Sequence, residues 1–149
     1  MYEIRQATVT DWPLIESFIN DCYGVGAYYK REARWSWQFV NTPYKDQETG
    51  SVPVWIALHD GNVIGQIALQ PARMRIEGSL LPAGWIVDVM VRPGYRGSGL
   101  AQNIHDAIKA TGQTLFTLTM ADATRRIAER AGCLTLGQVH QMVDRKSVV

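Results

Sequence analysis

The sequence has little of what marks several large classes of protein. It contains two cysteines, Cys22 and Cys133, which lie far apart and outside any CxxC motif, so we expect neither a disulfide framework nor a zinc site. The three histidines, His59, His105 and His140, show no ligand spacing to one another or to a cysteine. We therefore expect no metal cofactor.

Excess charge and long apolar runs are missing as well. The 149 residues carry 15 basic and 14 acidic side chains, a formal net charge of +1, whereas nucleic-acid-binding domains are usually strongly basic. The longest apolar run, residues 54–58, is too short to cross a membrane, and residues 1–5 do not begin a signal peptide. We expect a cytoplasmic enzyme or binding domain with no nucleic-acid and no membrane partner, while one small anion site stays compatible with the charge.

The length and hydrophobic content of the chain are sufficient for one hydrophobic core. A chain of 149 residues, 46% of them hydrophobic, is expected to form a single domain over residues 1–149 and to bury roughly 70% of its unfolded surface. Apolar periodicity and turn signals predict a mixed α/β order of β-α-α-β-β-β-α-β-α-β. A hairpin turn is predicted at residues 59–62, HDGN, and another turn at residues 77–79, EGS. The predicted strands are residues 2–7, 53–58, 63–69, 72–76, 84–91, 114–119 and 137–143, and the predicted helices are one starting near Asp11 and those at residues 28–40, 100–109 and 123–131.

The most informative stretch is WIVDVMVRPGYRGSGLA, residues 85–101. It predicts a buried strand, a glycine-rich turn and an amphipathic helix that begins near Leu100. Gly97 and Gly99 lack a Cβ, so backbone N–H groups can converge there, and the helix adds its unpaired N–H groups and the positive end of its dipole. Such a turn suits a phosphate or pyrophosphate, with Arg92 and Arg96 adding positive charge. The alternative is a plain strand-to-helix turn.

Two other nucleotide-binding motifs do not fit this loop. It lacks the Gly-Lys-Ser/Thr ending of a P-loop. It also follows antiparallel hairpins late in the chain, where a Rossmann unit would not lie.

Residues 91–101, VRPGYRGSGLA, resemble the acyl-CoA loop of the GNAT superfamily of N-acetyltransferases. The family pattern, Arg/Gln-x-x-Gly-x-Gly/Ala, is met by Arg96, Gly99 and Ala101, and the predicted order of elements is that of the family over nearly the whole chain. The resemblance implies an α/β fold with a central, mostly antiparallel sheet of six to seven strands, a splayed parallel pair and about four flanking helices.

The resemblance also implies acetyl-CoA as cosubstrate and assigns its site. The pantetheine arm would pair with the end of the strand at Val89, Met90 and Val91, with the acetyl carbonyl polarised near the amide of Val89 or Met90. The pyrophosphate would be held by the backbone N–H groups of Arg96, Gly97, Ser98, Gly99, Leu100 and Ala101.

The general base departs from the family's usual pattern. Many members carry Glu or His on this strand, whereas the matching positions here are Trp85 and Val87. Asp88 is the only titratable side chain on the strand and is therefore the candidate catalytic base. The alternative is a structural carboxylate that caps the sheet or a nearby loop.

A second departure concerns the general acid. The family often has Asn, then Tyr seven residues later, then Gly-Phe, and that Tyr commonly protonates the departing thiolate. The corresponding residues here are Ala121, Ala128, Gly132 and Cys133, so only the glycine fits. Because a thiol has a pKa of about 8.5, it can leave without that acid.

An aromatic segment lies where the family places its substrate-facing helices. Tyr28, Trp35 and Trp37 are the candidate residues for binding the acceptor, and core packing is the alternative, favoured for Trp35 and Phe39.

Two functions follow from these residues. One is acetyl-CoA-dependent transfer of an acetyl group to a primary amine of a small acceptor, by direct attack within a ternary complex. The other is a non-catalytic, regulatory acyl-CoA-binding module. A homodimer is among the assemblies that the sequence allows, and the chain is expected to be either a whole protein or a part of a longer one.

Overall fold

The computed structural model describes residues 1–24, 27, 30–44, 50–118 and 121–137. These residues form five strands and four helices, in the order β-α-α-β-β-β-α-β-α. The strands are β1 (Glu3–Thr8), β2 (Ser51–His59), β3 (Asn62–Ile76), β4 (Ser79–Val91) and β5 (Thr114–Phe116). The helices are α1 (Trp12–Tyr23), α2 (Glu32–Trp35, continued by a π-helical turn at Ser36–Val40), α3 (Leu100–Lys109) and α4 (Asp122–Arg130). The chain divides into two compact units, Met1–Thr117, which contains the whole sheet, and Leu118–Val149, which contains α4.

The strands form one mixed sheet in the order β1-β2-β3-β4-β5. All neighbours are antiparallel except β4 and β5, which are parallel. This confirms the predicted α/β fold with a mixed sheet and four helices. The predicted number of six to seven strands is wrong, because the sheet of the described residues has five.

The difference in strand number arises mainly at Pro71. The predicted strands at residues 63–69 and 72–76 are one continuous strand, β3, in which Pro71 lies opposite Gly84 of β4. Pairing of β3 with β2 ends at Ala68, so beyond that residue one edge of β3 has no ladder partner within the part of the chain that is described. A proline is accepted at such an edge. The predicted strand at residues 137–143 falls, apart from Gly137, outside the described residues.

Two short turns fix the register of the central hairpins. Asp60 and Gly61 join β2 to β3 with φ of 49° and 73°, and Glu77 and Gly78 join β3 to β4 with φ of 49° and 83°. Positive φ at both residues is the type I′ geometry that follows the twist of two antiparallel strands. The predicted turns at both places are confirmed.

The sheet is covered by helices on both faces. One face packs against α1 and α2 through a cluster that includes Phe18, Trp35, Phe39, Ile56 and Met90. The other packs against α3 through a cluster that includes Ile67, Leu69, Leu100, Ile104 and Ile108.

Helix α3 lies very close to the sheet at Gly65. A Cβ on this residue would come within 3.0 Å of Leu100 Cδ2 and 3.2 Å of Ile104 Cδ1. A side chain at this position would crowd the ends of the Leu100 and Ile104 side chains, so glycine favours the close approach of α3 to β3. The first turns of α3 therefore pack directly against β3 at Gly65.

A partly buried ion pair joins β1 to the start of α1. Arg5 donates from both Nη atoms to the two carboxylate oxygens of Asp11, at 2.8 and 2.7 Å. Thr8 adds bonds to the same carboxylate from its N–H and its hydroxyl, at 2.8 and 2.9 Å. The bonds from Arg5, and then those from Thr8, hold the pKa of the Asp11 carboxyl well below its usual range.

Replacing Asp11 by Asn is expected to destabilise the fold at neutral pH by about 2 kcal/mol, because the variant loses charge-assisted bonds to a partly exposed Arg5. The folded-state pKa of Asp11 lies below its unfolded value near 3.9. Its stabilising contribution is thus complete above that unfolded value and is lost as the pH falls through the folded one. Urea unfolding should show that the difference in free energy of unfolding between the original protein and the Asn variant is smaller at about pH 3 than at pH 7. Equal stability at pH 7 would contradict this role.

Candidate active site

A β-bulge interrupts β4 at Asp88. Ala68 pairs with Val87, and Gln66 pairs with Met90, so two steps along β3 correspond to three along β4. Asp88 has φ of 49°, a left-handed conformation that Asp tolerates better than most residues with a side chain. The extra residue removes backbone groups from the ladder between β3 and β4 at this point.

The bulge also decides which way Asp88 faces. Simple alternation would place Asp88 on the α3 face together with Ile86. Instead Ile86 and Val89 pack in the α3 cluster, whereas Val87 and Met90 pack in the α1–α2 cluster. Asp88 lines a cleft on the α1–α2 face. One inserted residue thus brings a carboxylate to the face that carries the cleft.

The edge of β4 is open beyond Trp85. Parallel pairing with β5 extends over three residue pairs and ends at Trp85 and Phe116, whose rings stack with centroids 6.1 Å apart. For the rest of β4, residues 86–91, no strand of the described chain pairs on that side. Within the described chain, the backbone N–H and C=O groups on that side are open to an extended ligand, as a strand edge is to an added strand, except that the Val91 carbonyl accepts from Arg96 Nε.

The glycine-rich loop after β4 leaves the start of α3 without a cap. Gly97 and Gly99 have φ of 81° and 82°, and a Cβ on either would meet no atom within 4 Å. Glycine is required there for backbone conformation rather than for space within the protein. The first helical N–H groups, from Leu100 onward, have no intrahelical acceptor, and no side chain caps α3 at Gly99. The helix therefore presents N–H donors and the positive end of its dipole.

Side-chain contacts hold this loop in place. The Tyr95 hydroxyl and His59 Nδ1 are hydrogen-bonded at 2.7 Å, which ties the loop to the β2–β3 hairpin. Arg92 donates to the Val63 carbonyl at 3.2 and 3.1 Å and pairs with Asp21 of α1 at 2.7 Å. Of the two arginines expected to supply positive charge, Arg92 is thus engaged in fixing the strand end to α1.

The second arginine lies at the surface beside the loop. Arg96 is exposed, and its Nε donates to the Val91 carbonyl at 3.2 Å. Its planar guanidinium has five N–H donors. The remaining donors suit a phosphate oxygen near the start of α3.

A cleft of about 200 Å³ lies on the α1–α2 face next to the bulge. Helices α1 and α2, the residue Lys30 before α2, and strands β3 and β4 all contribute to it. Its lining residues are Ile19, Lys30, Arg34, Trp35, Gln38, Phe39, Gln66 and Asp88. The cleft thus combines an apolar wall with amide and charged groups, which is typical of small-molecule sites.

An ion pair lies in the cleft. Lys30 donates from Nζ to Asp88 Oδ1 in a short hydrogen bond, and both side chains are largely buried, with 12% and 26% of their surface exposed. Lys30 Nζ also lies 5.3 Å from the ring centroid of Tyr23. Asp88 is therefore already paired with a cation contributed by a residue 58 positions earlier in the chain.

Two further lining residues carry buried polar atoms that have no hydrogen-bond partner among the described residues. They are Trp35 through Nε1, a donor, and Gln66 through Oε1, an acceptor. Only 4% of Trp35 and 1% of Gln66 is exposed. Buried polar atoms left unbonded cost roughly 1–3 kcal/mol each, and such groups often mark a site that a ligand completes.

The predicted acceptor residues end up in different places. Trp35 lines the cleft and also packs in the core, with ring centroids 5.0 Å from Trp12 and 6.2 Å from Phe39. Trp37 is 64% exposed and is not part of the cleft lining, because it points away from the buried side of its helix. Tyr28 lies outside the described residues.

Four polar or charged residues of the cleft were not predicted from the sequence: Lys30, Arg34, Gln38 and Gln66. A signal for Gln66 was present, since it is a polar residue within the apolar strand VIGQIAL. Nothing in the local pattern marks Lys30 or Arg34, because each is one of many surface-type charges.

The described residues contain no cluster of three or more His, Cys, Asp or Glu side chains that could hold a metal ion. None of the helices within the described ranges is long and apolar enough to cross a bilayer.

Solved structures with the same fold are similar to this chain over nearly its whole length. AAC(6')-Iy, in complex with the bisubstrate analogue CoA-S-monomethyl-acetylneamine, has a TM-score of 0.70 at 15% identity over 97% of this chain and 99% of its own. An aminoglycoside acetyltransferase from an uncultured soil metagenomic sample, in complex with sisomicin, gives 0.67 at 15% identity over 96% and 95%. A predicted acetyltransferase from Clostridium acetobutylicum with acetyl-CoA gives 0.62 at 14% identity over 96% of each chain.

Sequence comparison gives a consistent result at the level of the family. A search of curated protein sequences finds no significant match. The family model described as the acetyltransferase (GNAT) domain matches residues 3–134, which include the sheet, the bulge, the glycine-rich loop and α4. The chain belongs to the GNAT acetyltransferase family.

Proposed function

We propose that the protein is an acetyl-CoA-dependent N-acetyltransferase that acetylates a primary amine of a small acceptor. The observation that carries this proposal is the bulge at Asp88. It lies beside the open edge of β4, and it directs a carboxylate into the adjoining cleft. Cosubstrate and acceptor would thus meet at one point of the strand.

The chain offers suitable partners for each part of acetyl-CoA. The open edge at Val89, Met90 and Val91 would pair with the pantetheine arm. The pyrophosphate would lie on the loop and helix start at Arg96, Gly97, Ser98, Gly99, Leu100 and Ala101, where uncapped N–H groups favour an anion. The similar folds with a CoA analogue and with acetyl-CoA support this cosubstrate.

The residues at the bulge have separate tasks in the proposed reaction. The N–H of Val89 or Met90 would polarise the acetyl carbonyl. The neutral amine attacks the carbonyl carbon, a C–N bond forms, the C–S bond breaks, and CoA departs as its thiolate. The proton lost by the amine passes to Asp88, directly or through a water.

Direct attack fits the cysteine on α1 as well. Burial raises the pKa of the Cys22 thiol, which lowers the fraction of nucleophilic thiolate at neutral pH. An acyl-enzyme at Cys22 is therefore disfavoured, and the rate would come from positioning and carbonyl polarisation.

A second candidate function is a non-catalytic acyl-CoA-binding module. It is favoured by Ala128 on α4, at the position where the family resemblance expects the tyrosine acid. We prefer the enzyme, because a thiolate with a pKa near 8.5 is an adequate leaving group without that acid.

Acetyl-CoA at about 100 times its dissociation constant should stabilise the fold by about 2.7 kcal/mol, because it binds the folded state alone. For a chain of this size the melting temperature should rise by several degrees. Differential scanning fluorimetry with acetyl-CoA, CoA and ATP separates a CoA site from a general anion site. No shift with millimolar acetyl-CoA or CoA would remove the cosubstrate from the proposal.

Replacing Gly99 by Val should weaken acetyl-CoA binding by at least about 10-fold, because a β-branched residue resists φ of 82° and would occupy space that the pyrophosphate needs. Gly94 to Val is the matched control, since Gly94 lies in the same loop, has no positive φ and has open space around it. Calorimetry should find near-normal affinity in the control. Normal affinity in the Gly99 variant would mean that the loop is only a turn.

Asp88→Asn tests the proposed base. Asn also tolerates the left-handed backbone, so the bulge should persist while the proton acceptor is lost. We expect kcat at saturating amine to fall by about 10²–10⁴-fold. Lys30→Met is the matched variant, since it breaks the same ion pair but keeps the carboxylate.

The pair of variants separates the two roles of Asp88. If Asp88 is the base, Lys30→Met should retain far more of kcat than Asp88→Asn, although both lower the melting temperature. If Asp88 is a structural carboxylate, the two variants should lose activity equally and in proportion to their unfolded fractions. The second pattern would exclude Asp88 from catalysis.

A further inference from the structure

Gln66 is a polar residue at a place where an apolar residue would be more stable. It lies on β3 between Gly65 and Ile67, and only 1% of it is exposed. Its Oε1 has no hydrogen-bond partner among the described residues. A buried acceptor without a donor lowers the stability of the folded state. Packing therefore does not explain Gln66, whereas a ligand that brings an N–H or O–H group into the cleft would satisfy its oxygen.

The register of the sheet places Gln66 beside the bulge. Gln66 pairs with Met90, and the register shift that contains Asp88 begins at this pair. Side chains directly opposite on antiparallel strands lie on the same face, and Met90 packs in the α1–α2 cluster. Gln66 consequently shares the face of the sheet to which the bulge turns Asp88, and both residues line the same cleft of about 200 Å³.

Two acceptors on one face suit a primary amine. In its neutral form such an amine has one lone pair and two N–H groups. A single hydrogen bond to Asp88 leaves the amine free to rotate about that bond, so its lone pair has no fixed direction. A second acceptor removes this rotation, and the lone pair is then held toward the acetyl carbonyl. The terminal torsion of a glutamine is soft, so Gln66 Oε1 can turn to meet the second N–H.

The same contact would become stronger during the reaction. The nitrogen gains positive charge as the C–N bond forms, and its N–H groups become better donors. An oriented amide oxygen stabilises that charge, because the negative end of its dipole faces the nitrogen. The other unbonded atom of the cleft, Trp35 Nε1, is a donor, and it would bind the lone pair instead of an N–H. Of the two atoms, only the Gln66 oxygen fits this task.

We propose that Gln66 is a specificity-determining residue, which accepts the second N–H of the attacking amine and so favours primary over secondary amines. The inference rests on the proposed function for the transfer step, and it names the residue that orients the nucleophile. Gln66 accepts a hydrogen bond and no proton, because the proton of the amine still passes to Asp88. A neutral secondary amine has a single N–H. Once Asp88 accepts this N–H, an alkyl group must face the Gln66 oxygen, which stays unbonded.

The test compares primary amines with their N-methyl counterparts, which differ little in basicity. Butylamine, benzylamine and 2-phenylethylamine are each paired in this way, and thiol release with saturating acetyl-CoA gives kcat/KM for the whole protein. At least one primary amine should be preferred over its N-methyl counterpart. Gln66→Met keeps the length of the side chain and removes the amide. It should lower the ratio of primary to N-methyl kcat/KM by about 10-fold, chiefly through a lower kcat for the primary amine.

Gln38→Met is the matched control. Gln38 lines the same cleft from the helical side, and it is half-buried. The chemical change is the same, so this variant reports any general effect of a less polar cleft. The ratio of primary to N-methyl kcat/KM should stay as in the original protein.

Thermal unfolding without any ligand gives a second, independent readout. If Gln66 serves an amine, removing its unbonded oxygen should raise the melting temperature or leave it unchanged. A structural glutamine would instead contribute bonds to the fold, and Gln66→Met would then melt at a lower temperature than Gln38→Met. That result would overturn the inference.

The outcomes separate this inference from the proposed function. Thiol release with primary amines at an unchanged ratio in Gln66→Met would overturn the role of Gln66 and leave the acetyltransferase standing. An equal fall of the ratio in both glutamine variants would overturn that role as well. No thiol release with any of these amines, in a protein that binds acetyl-CoA, would count against the proposed function and against this inference with it. A fall of the ratio confined to Gln66→Met, without a lower melting temperature, supports both.

Discussion

The extra residue at Asp88 in β4 is the constraint on which the site depends. Without it, alternation would turn Asp88 toward the α3 cluster of Leu100, Ile104 and Ile108, where an unpaired carboxylate would be strongly unfavourable. With it, the carboxylate lies in the α1–α2 cleft, and backbone groups leave the β3 ladder next to the open edge of β4. Carboxylate, free backbone donors and cleft are thus brought together by one local change of register.

The two faces of the sheet then serve different purposes. On the α3 face, Gly65 lets the helix lie close to β3, and the Tyr95–His59 bond fixes the loop that precedes the helix. The helix start and its N–H groups are consequently preorganised, so an anion can bind there with little loss of conformational entropy in the loop. On the other face the cleft holds charged groups and buried polar atoms without partners. The α3 face thus carries the helix start proposed for the cosubstrate, and the other face carries the cleft proposed for the acceptor.

Sequence patterns predicted the parts that depend on local chemistry. Helix α3 runs over Leu100–Lys109 as its apolar spacing predicts, and the two type I′ turns follow from Asp60-Gly61 and Glu77-Gly78. Features set by pairing between distant segments were not predictable. The bulge depends on register with β3, the strand through Pro71 depends on an edge that β2 leaves open, and the partner of Asp88 lies 58 residues away. For Trp35 the sequence already favoured core packing with Phe39, and the structure places it both in the core and in the cleft lining, whereas Trp37 is exposed.

The ion pair connects the cleft to the proposed chemistry. Lys30 donates to the carboxylate that would accept the proton of the amine, and both side chains are largely buried. The amine of an acceptor would therefore have to approach Asp88 beside Lys30, so the geometry of this pair limits the directions from which an acceptor can enter.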